Sequence, residues 1–385
     1  GLSSTPMVYF GTANYGFKAS VQITASHNPA EYNGMKVSRE NALPVGLDSG
    51  LGQIKEWIES SRPTPAAAKR GTVHEMDIHA DYINFMKKFK GDYSNLKLAF
   101  DLSNGMANLF AKEIYGDAPE YIFDTIDGRF PNHEPNPLVA KNVEPLKELV
   151  RRSGADIGII YDGDADRVMF VDDKARFIAP DLIIALMALY FCDERGARNP
   201  RVLQEIRSSK AVGEFLEKYG ADLHTWKVGR AFAAPKLREI DGLWGGELAG
   251  HYYFKDFFYS DSGLLSSMIV LRIVSRLKEQ GIKLSDQIDS MTRYFNSGEI
   301  NFKLEDKAEA MKAVCDHFTA QEKPLKVMDF DGYRLEYPDW WFNIRPSNTE
   351  PYLRFICEAR TEDMLRSKVD ETVSLLERDF GAVRS

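Results

Sequence analysis

Short apolar runs recur along the chain, each ending in a loop rich in Gly, Asp, Asn or Ser, and helical periodicity follows them. That succession predicts βα units. Val21-Gln22-Ile23 leads into residues 24–29, residues 96–100 into Asp101-Leu102-Ser103-Asn104-Gly105, and residues 157–161 into residues 162–167. Arg201-Val202-Leu203 before a helical stretch near 210–219, and residues 223–228 before one near 231–240, predict a further unit of this kind. In α/β sheets functional groups gather in loops beyond the carboxyl ends of strands, which is where these polar clusters fall. The tail differs: strands are expected at 299–304, 327–330, 333–337, 340–344 and 352–358, with Leu365, Val369, Thr372, Val373 and Leu376 on one face of a closing helix. This is the pattern of an α+β module with largely antiparallel pairing. A Pro-rich stretch, Ser61-Arg62-Pro63-Thr64-Pro65, reads as a linker. The expected domains are 1–68, 69–175, 176–293 and 294–385.

Composition narrows the function classes. A chain of 385 residues exceeds what one core serves. Lys and Arg number 49 against 57 Asp and Glu, with no basic block, so an electrostatic nucleic-acid footprint is not expected and an anionic ligand needs a local basic pocket. Cys192, Cys315 and Cys357 are too few and too dispersed for a disulfide framework or a zinc site, and a reducing cytoplasm is the expected compartment. No run approaches the roughly 20 apolar residues of a membrane span, and the first residues lack the layout of a signal peptide.

Asp162-Gly163-Asp164-Ala165-Asp166-Arg167 carries the most chemistry. Alternate carboxylates in one tight loop can converge on a single hard cation, for which magnesium or manganese is suited, and Arg167 adds a fork for a phosphate beside it. The alternative is a solvated acidic turn, which three alternating Asp with a flanking Arg after a buried strand disfavour. It is not a calcium loop of the EF-hand type, because Asp173 stands where Glu is required and the apolar residues 168–171 fall among the later ligand positions. Thr24-Ala25-Ser26-His27-Asn28-Pro29 sets a hydroxyl beside an imidazole, but alone it also reads as a polar turn. There is no G-x-S-x-G elbow to suggest a serine hydrolase. Arg345-Pro346-Ser347-Asn348-Thr349-Glu350-Pro351 is either a phosphate cradle or a Pro-bounded turn. Gly245-Gly246-Glu247-Leu248-Ala249-Gly250-His251 allows close backbone approach to a ligand, with Glu247 as acceptor for hydroxyls, or is a Gly-rich turn. Lys227-Val228-Gly229-Arg230 is an anion pocket or a solvated loop.

Together, in this order, these segments resemble the α-D-phosphohexomutase family, most closely its bacterial phosphomannomutase/phosphoglucomutase branch, over nearly the whole chain. Tyr32-Asn33-Gly34-Met35-Lys36, His251-Tyr252-Tyr253-Phe254 before Asp261-Ser262-Gly263, and Trp341-Phe342-Asn343 add to the likeness. The resemblance implies three related α/β domains with mixed sheets and a C-terminal α+β domain around a central active-site cleft. It implies that Ser26 is a phosphoserine, that Asp162, Asp164 and Asp166 ligate Mg2+ together with it, and that Arg167 touches its phosphate. His27 and Lys36 are then candidates for proton transfer and charge stabilisation, and Glu247 and residue 249 face the sugar. Arg345, Ser347, Asn348 and Thr349 would bind the non-reacting phosphate, with Arg207, Lys227 and Arg230 on the pocket's basic side.

The implied reaction interconverts mannose 6-phosphate and mannose 1-phosphate, and the glucose pair, through hexose 1,6-bisphosphate, which also activates Ser26. The partners are phosphosugars, with neither nucleic acid nor membrane. The alternatives are a metal-dependent sugar phosphatase and a non-catalytic sugar-phosphate binder. Asn348 favours the hexose branch over phosphoglucosamine mutases, which resemble R-P-S-G-T-E-P here. Two departures stand out. Ala249 replaces the family's Ser, and Ser26 lies so near the first residue that domain 1 is expected to lack early strands and an active-site Arg, leaving an open sheet edge.

Overall fold

The computed structural model of the protein describes residues 1–347 and 351–384. Its strands, in chain order, are β1 (Ala19–Ile23), β2 (Met35–Arg39), β3 (Leu98–Asp101), β4 (Glu120–Ile122), β5 (Ile157–Tyr161), β6 (Val168–Asp172), β7 (Arg201–Glu205), β8 (Asp222–Trp226), β9 (Trp244–Gly246), β10 (Tyr252–Phe254) and β11 (Ser260–Asp261). They continue with β12 (Phe295–Asn296), β13 (Ile300–Lys303), β14 (Lys326–Met328), β15 (Tyr333–Glu336), β16 (Trp340–Pro346), β17 (Leu353–Ala359) and β18 (Val383–Arg384).

Among the described residues these strands form four sheets: β1-β2; β4-β3-β5-β6; β11-β10-β9-β7-β8; and β14-β15-β16-β17-β13-β18, with β12 also on β17. The second and third sheets share one plan. β3 runs parallel to β4 and β5 while β6 turns back, just as β7 runs parallel to β8 and β9 while β10 turns back. The last sheet is antiparallel throughout, in line with the largely antiparallel pairing expected for the tail.

Strand periodicity explains the layering. Along β5, Ile157, Ile159 and Tyr161 face the large central core, while Ile160 faces the core under the helix Ala140–Ser153 with Val143, Leu146 and Val150. A strand buried on both faces has no polar side to show, so β5 and β6 are apolar without alternation. The helix Gly263–Glu279 begins at Ser262, whose side chain accepts from Leu265 N, and is buried along most of its length in the central core. The fourth sheet packs Phe302, Trp340, Phe342 and Phe355 against Phe318 and Leu376 from its helices. No helix among the described residues is long and apolar enough to cross a membrane.

One expectation fails. Residues 24–29 and 162–167 do not lead into helices; they lead into the antiparallel strands β2 and β6. The hairpins β5–β6 and β9–β10 therefore hold equivalent positions in their sheets, and the connections of these two and of β1–β2 carry the Asp162, Glu247 and Ser26 segments. β1 pairs only with β2 among the described residues, and Val21, Ile23 and Met35 on this ribbon are exposed.

Candidate active site

Ser26 sits just beyond β1 with φ of 57°. A left-handed backbone at a serine costs on the order of 1–3 kcal/mol and must be held by its surroundings. Thr24 Oγ1 accepts from Ser26 N at 2.8 Å, and Asn28 N donates to Ala25 O at 3.0 Å, closing the turn. The acidic loop presses against it: a Cβ on residue 163 would lie 2.4 Å from Ser26 O, so only glycine permits this approach. The Ser26 hydroxyl consequently lies 3.3 Å from both Asp162 Oδ2 and Asp164 Oδ1.

Lys36 enters from β2 on the far side of the same hairpin. Its Nζ donates to Asp164 Oδ2 at 2.7 Å and Asp166 Oδ2 at 2.5 Å, and stands 3.3 Å from Ser26 Oγ. Thr5 Oγ1 donates to Asp164 Oδ2 at 2.6 Å and Thr5 N to Asp164 O at 3.1 Å, docking the start of the helix Thr5–Asn14 on the loop.

Asp162, Asp164 and Asp166 are all buried, and one carboxylate oxygen from each lies within 4.8 Å of the others. Burial pushes Asp162 well above the usual carboxylate range, and the charges of Asp164 and Asp166 add to the rise. Burial opposes the charge on Lys36 too, but Asp164 and Asp166 outweigh it and hold the ammonium well above its ordinary pKa. For Asp166, the pull of Lys36 and His251 overcomes burial and lowers the pKa. Lys36 and the nearby Arg167 guanidinium do not satisfy every carboxylate oxygen, since Asp166 Oδ1 is buried with no hydrogen-bond partner among the described residues. Hard oxygen donors with a spare lone pair fit a divalent cation such as Mg2+.

Arg167 carries the acidic loop toward its neighbours. Its Nη2 donates to His27 Nδ1 at 2.7 Å, and its Nε lies 3.5 Å from Asp162 Oδ2. Burial, with the charges of Arg167 and His251, lowers His27 to about 4, so the ring is neutral at pH 7, with its hydrogen on Nε2. His27 therefore presents a donor while Arg167 holds its Nδ1. His251 offers a better proton carrier: its Nδ1 contacts Asp261 Oδ2 at 2.6 Å, and Asp261 Oδ1 accepts from Arg230 Nε at 2.9 Å. The Arg230 guanidinium also covers the Tyr9 ring at 3.7 Å. Backbone joins the two loops, through the bridge between Arg167 and His251 and the bond from Val168 N to Gly250 O at 3.1 Å. Glu247 accepts from Tyr253 OH at 2.6 Å and Gly229 N at 3.2 Å, and burial raises its pKa.

The remaining positions lie farther out. Arg345 Nε donates to Asp331 Oδ1 at 3.1 Å, and Asp331 Oδ2 accepts from Val228 N at 2.9 Å, tying the fourth sheet to the 227–230 loop. Ser347 N donates to Tyr352 O at 2.9 Å. Asn348 and Thr349 lie outside the described residues. Arg207 holds Glu205 with two bonds and Glu299 with a third, and with Ala249 it lines a cavity of about 770 Å³. Lys227 instead lines a separate crevice of about 730 Å³, beside Arg39 and Phe232. Sequence reasoning gave no role to Thr5, His251, Asp261 or Asp331. The Asp261-Ser262-Gly263 segment was a signal for one of them; Thr5 and Asp331 reach their partners from far along the chain.

Family models for the phosphoglucomutase/phosphomannomutase α/β/α domains I, II and III match residues 1–63, 80–175 and 179–294, and that for the C-terminal domain matches 299–375. The chain is 33% identical over 382 residues to a phosphomannomutase of Methanocaldococcus jannaschii, covering 98% of this chain and 82% of the relative. It is 35% identical over 393 residues to a phosphomannomutase of Escherichia coli, covering 98% and 84%. The crystal structure of a phosphoglucomutase/phosphomannomutase family protein from Burkholderia thailandensis superposes with a TM-score of 0.82 at 25% identity, over 98% of this chain and 82% of that one. Likeness at this level over 98% of the chain, with the four domain models matched in order, means that the chain belongs to the phosphoglucomutase/phosphomannomutase family.

Proposed function

We propose that the protein is a phosphohexomutase that interconverts mannose 6-phosphate and mannose 1-phosphate, and the corresponding glucose phosphates, by passing a phosphoryl group through Ser26. The observation that carries this reading is the Ser26 hydroxyl at 3.3 Å from two buried carboxylates and from Lys36, at the meeting of the β1–β2 and β5–β6 hairpins. Asp162, Asp164, Asp166 and the oxygen on Ser26 would hold Mg2+, which neutralises phosphoryl oxygens.

In the forward step the bond between phosphorus and Ser26 Oγ breaks while one forms to a sugar hydroxyl. The hydroxyl proton leaves to a base, for which His251 oriented by Asp261 is suited, and the product is a hexose 1,6-bisphosphate. Transfer of the other phosphoryl group from the bisphosphate back to Ser26 Oγ breaks its bond to the sugar oxygen, which takes up a proton from the same base, and restores the phosphoserine. Lys36 and Arg167 supply positive charge around the transferring group, and Glu247 supplies an acceptor for sugar hydroxyls. Arg345, whose Nη2 is buried without a hydrogen-bond partner among the described residues, would anchor the non-reacting phosphate with Ser347, Asn348 and Thr349. Arg207 would furnish the basic flank beside Ala249, which would leave that side of the sugar without a hydroxyl contact, with Arg230 behind His251 and Asp261; Lys227, in its separate crevice, would reach the ligand only from the 227–230 loop.

Peptide mass spectrometry after incubation with glucose 1,6-bisphosphate and Mg2+ tests the reading. Phosphate on Ser26 is expected, and Ser26→Ala should abolish turnover while sugar-phosphate binding persists. An unmodified Ser26 in the folded, magnesium-loaded protein, or steady release of inorganic phosphate, would overturn it.

A further inference from the structure

Beneath the acidic loop lies a second buried pair that the reaction scheme does not use. Asp101, the last residue of β3, is fully buried, and its Oδ2 is 3.0 Å from Nε2 of His133, which arrives on the loop between β4 and the helix Ala140–Ser153. The other ring nitrogen, Nδ1, lies 2.7 Å from Glu134 O. A carbonyl only accepts, so Nδ1 carries a hydrogen, and a carboxylate on the far side favours a second one on Nε2. Burial opposes the charged ring, but Asp101 outweighs it and raises the His133 pKa. The second oxygen of Asp101 accepts from Ser103 N at 2.8 Å.

That bond fixes an unusual turn. Ser103 and Asn104 are consecutive non-glycine residues with φ of 50° and 52°. Successive left-handed residues do not persist without outside support. The support comes from Asp101 on one side, and from Asn132 Nδ2 to Asn104 Oδ1 at 2.8 Å on the other. Asn132 is the neighbour of His133, so a single loop holds both ends of the turn.

The turn in turn holds the acidic loop by its backbone. Ser103 Oγ donates to Tyr161 O at 2.6 Å, and Met106 N donates to Gly163 O at 2.9 Å. These carbonyls flank Asp162. A Cβ on residue 105 would lie 2.7 Å from Gly163 O, so the two loops are stacked in direct contact. The same Gly163 meets Ser26 O on its other side. The 103–105 turn, Gly163 and Ser26 thus form a stack in which the height of the turn sets the height of the carboxylates under the serine.

We propose that His133 is a positioning residue for the metal site, acting through Asp101 and the Ser103–Asn104 turn to fix Tyr161 O and Gly163 O and so the convergence of Asp162, Asp164 and Asp166. The inference rests on the reading of those carboxylates as the Mg2+ ligands. Residues that orient metal ligands from outside typically contribute ~10–100-fold in affinity.

The test is the Kd of the intact protein for Mn2+, by calorimetry, beside its Kd for glucose 1-phosphate. His133→Ala should weaken Mn2+ binding by about tenfold or more, with glucose 1-phosphate affinity within about twofold of the parent. His133→Gln, whose amide can donate to Asp101, should recover much of the loss. Ser103→Ala keeps the backbone bond to Asp101 while removing the hydroxyl that reaches Tyr161 O, and should weaken Mn2+ binding in the same selective way, which keeps the test open where His133→Ala does not fold. Unchanged Mn2+ affinity in Ser103→Ala, or equal losses for metal and sugar phosphate, overturns the proposal. Asp164→Asn separates it from the underlying reading. If that variant loses Mn2+ while the Ser103 and His133 variants keep it, only the positioning role falls. If it binds Mn2+ as the parent does, the metal reading and the positioning role fall together.

Discussion

Lys36 bonds to two of the three carboxylates that Asp162, Asp164 and Asp166 bring together, and it does so from a different sheet. Removing its charge leaves buried carboxylates short of a partner, and breaking a buried pair costs about 3–5 kcal/mol. In metal-free protein Lys36→Met should therefore lower the Tm by several degrees, and millimolar Mg2+ should restore most of the loss; an equal deficit with and without Mg2+ would contradict this account. That Ser26, the three Asp and Arg167 belong to one cluster was legible because the acidic loop is contiguous and the serine segment, ambiguous alone, gained its meaning from standing in order with the other segments. His251 with Asp261, Thr5 on Asp164 and His133 on Asp101 were not. Their meaning lies in a partner 10, 159 or 32 positions away, and nothing local marks which polar residue will find which.

At the scale of elements, the candidate site is a meeting of hairpin connections rather than of βα loops. Residues 168–171, Val-Met-Phe-Val, are buried on both faces of β6, so they show neither the alternation of a half-exposed strand nor a helical stripe. Periodicity alone does not separate strand from helix in such a run. The tail was easier to read, because in β13, β16 and β17 every second residue is an apolar side chain turned to the helix-covered core, as Trp340, Phe342 and Ile344 are. Close stacking of the connections has a measurable cost when disturbed. Gly163→Ala places a methyl against Ser26 O and should push the serine loop away, lowering kcat by ~100-fold, the scale of an ångström's misplacement, with sugar-phosphate affinity little changed. Parent-like kcat in a folded Gly163→Ala would remove Gly163 as the spacer.

Across the whole molecule, the fourth sheet is clasped to the third through buried acids. Glu358 of β17 accepts from Ser209 Oγ at 2.6 Å, Trp341 Nε1 at 2.7 Å and Asn296 Nδ2 at 2.8 Å. Asp181 accepts from Ser209 N at 2.8 Å, and Arg334 Nη1 donates to Ile206 O and Ser208 O. Burial, with the nearby charge of Glu358, lifts Asp181 to about 7, and burial raises Glu358. An acid raised in the folded state holds its proton there after the unfolded chain has lost it. Its stabilisation is present below the ordinary carboxylate range and is lost as pH rises through the folded pKa. The Tm should thus decline from the ordinary carboxylate range, about pH 4, up to about pH 7 and level off above it, and Asp181→Asn should flatten the decline; an unaltered slope would exclude Asp181 as its source.

The bond from Val168 N to Gly250 O is made by peptide groups alone, and it sews the acidic hairpin to the one bearing Glu247. A seam of backbone leaves no trace in residue identity, yet it constrains inheritance. Recombination with a distant relative between residues 172 and 179 could preserve every recognisable motif in both halves and still misalign the site. For a viable exchange the two hairpins must descend together, matched in the spacing of a peptide unit that no comparison of side chains would flag.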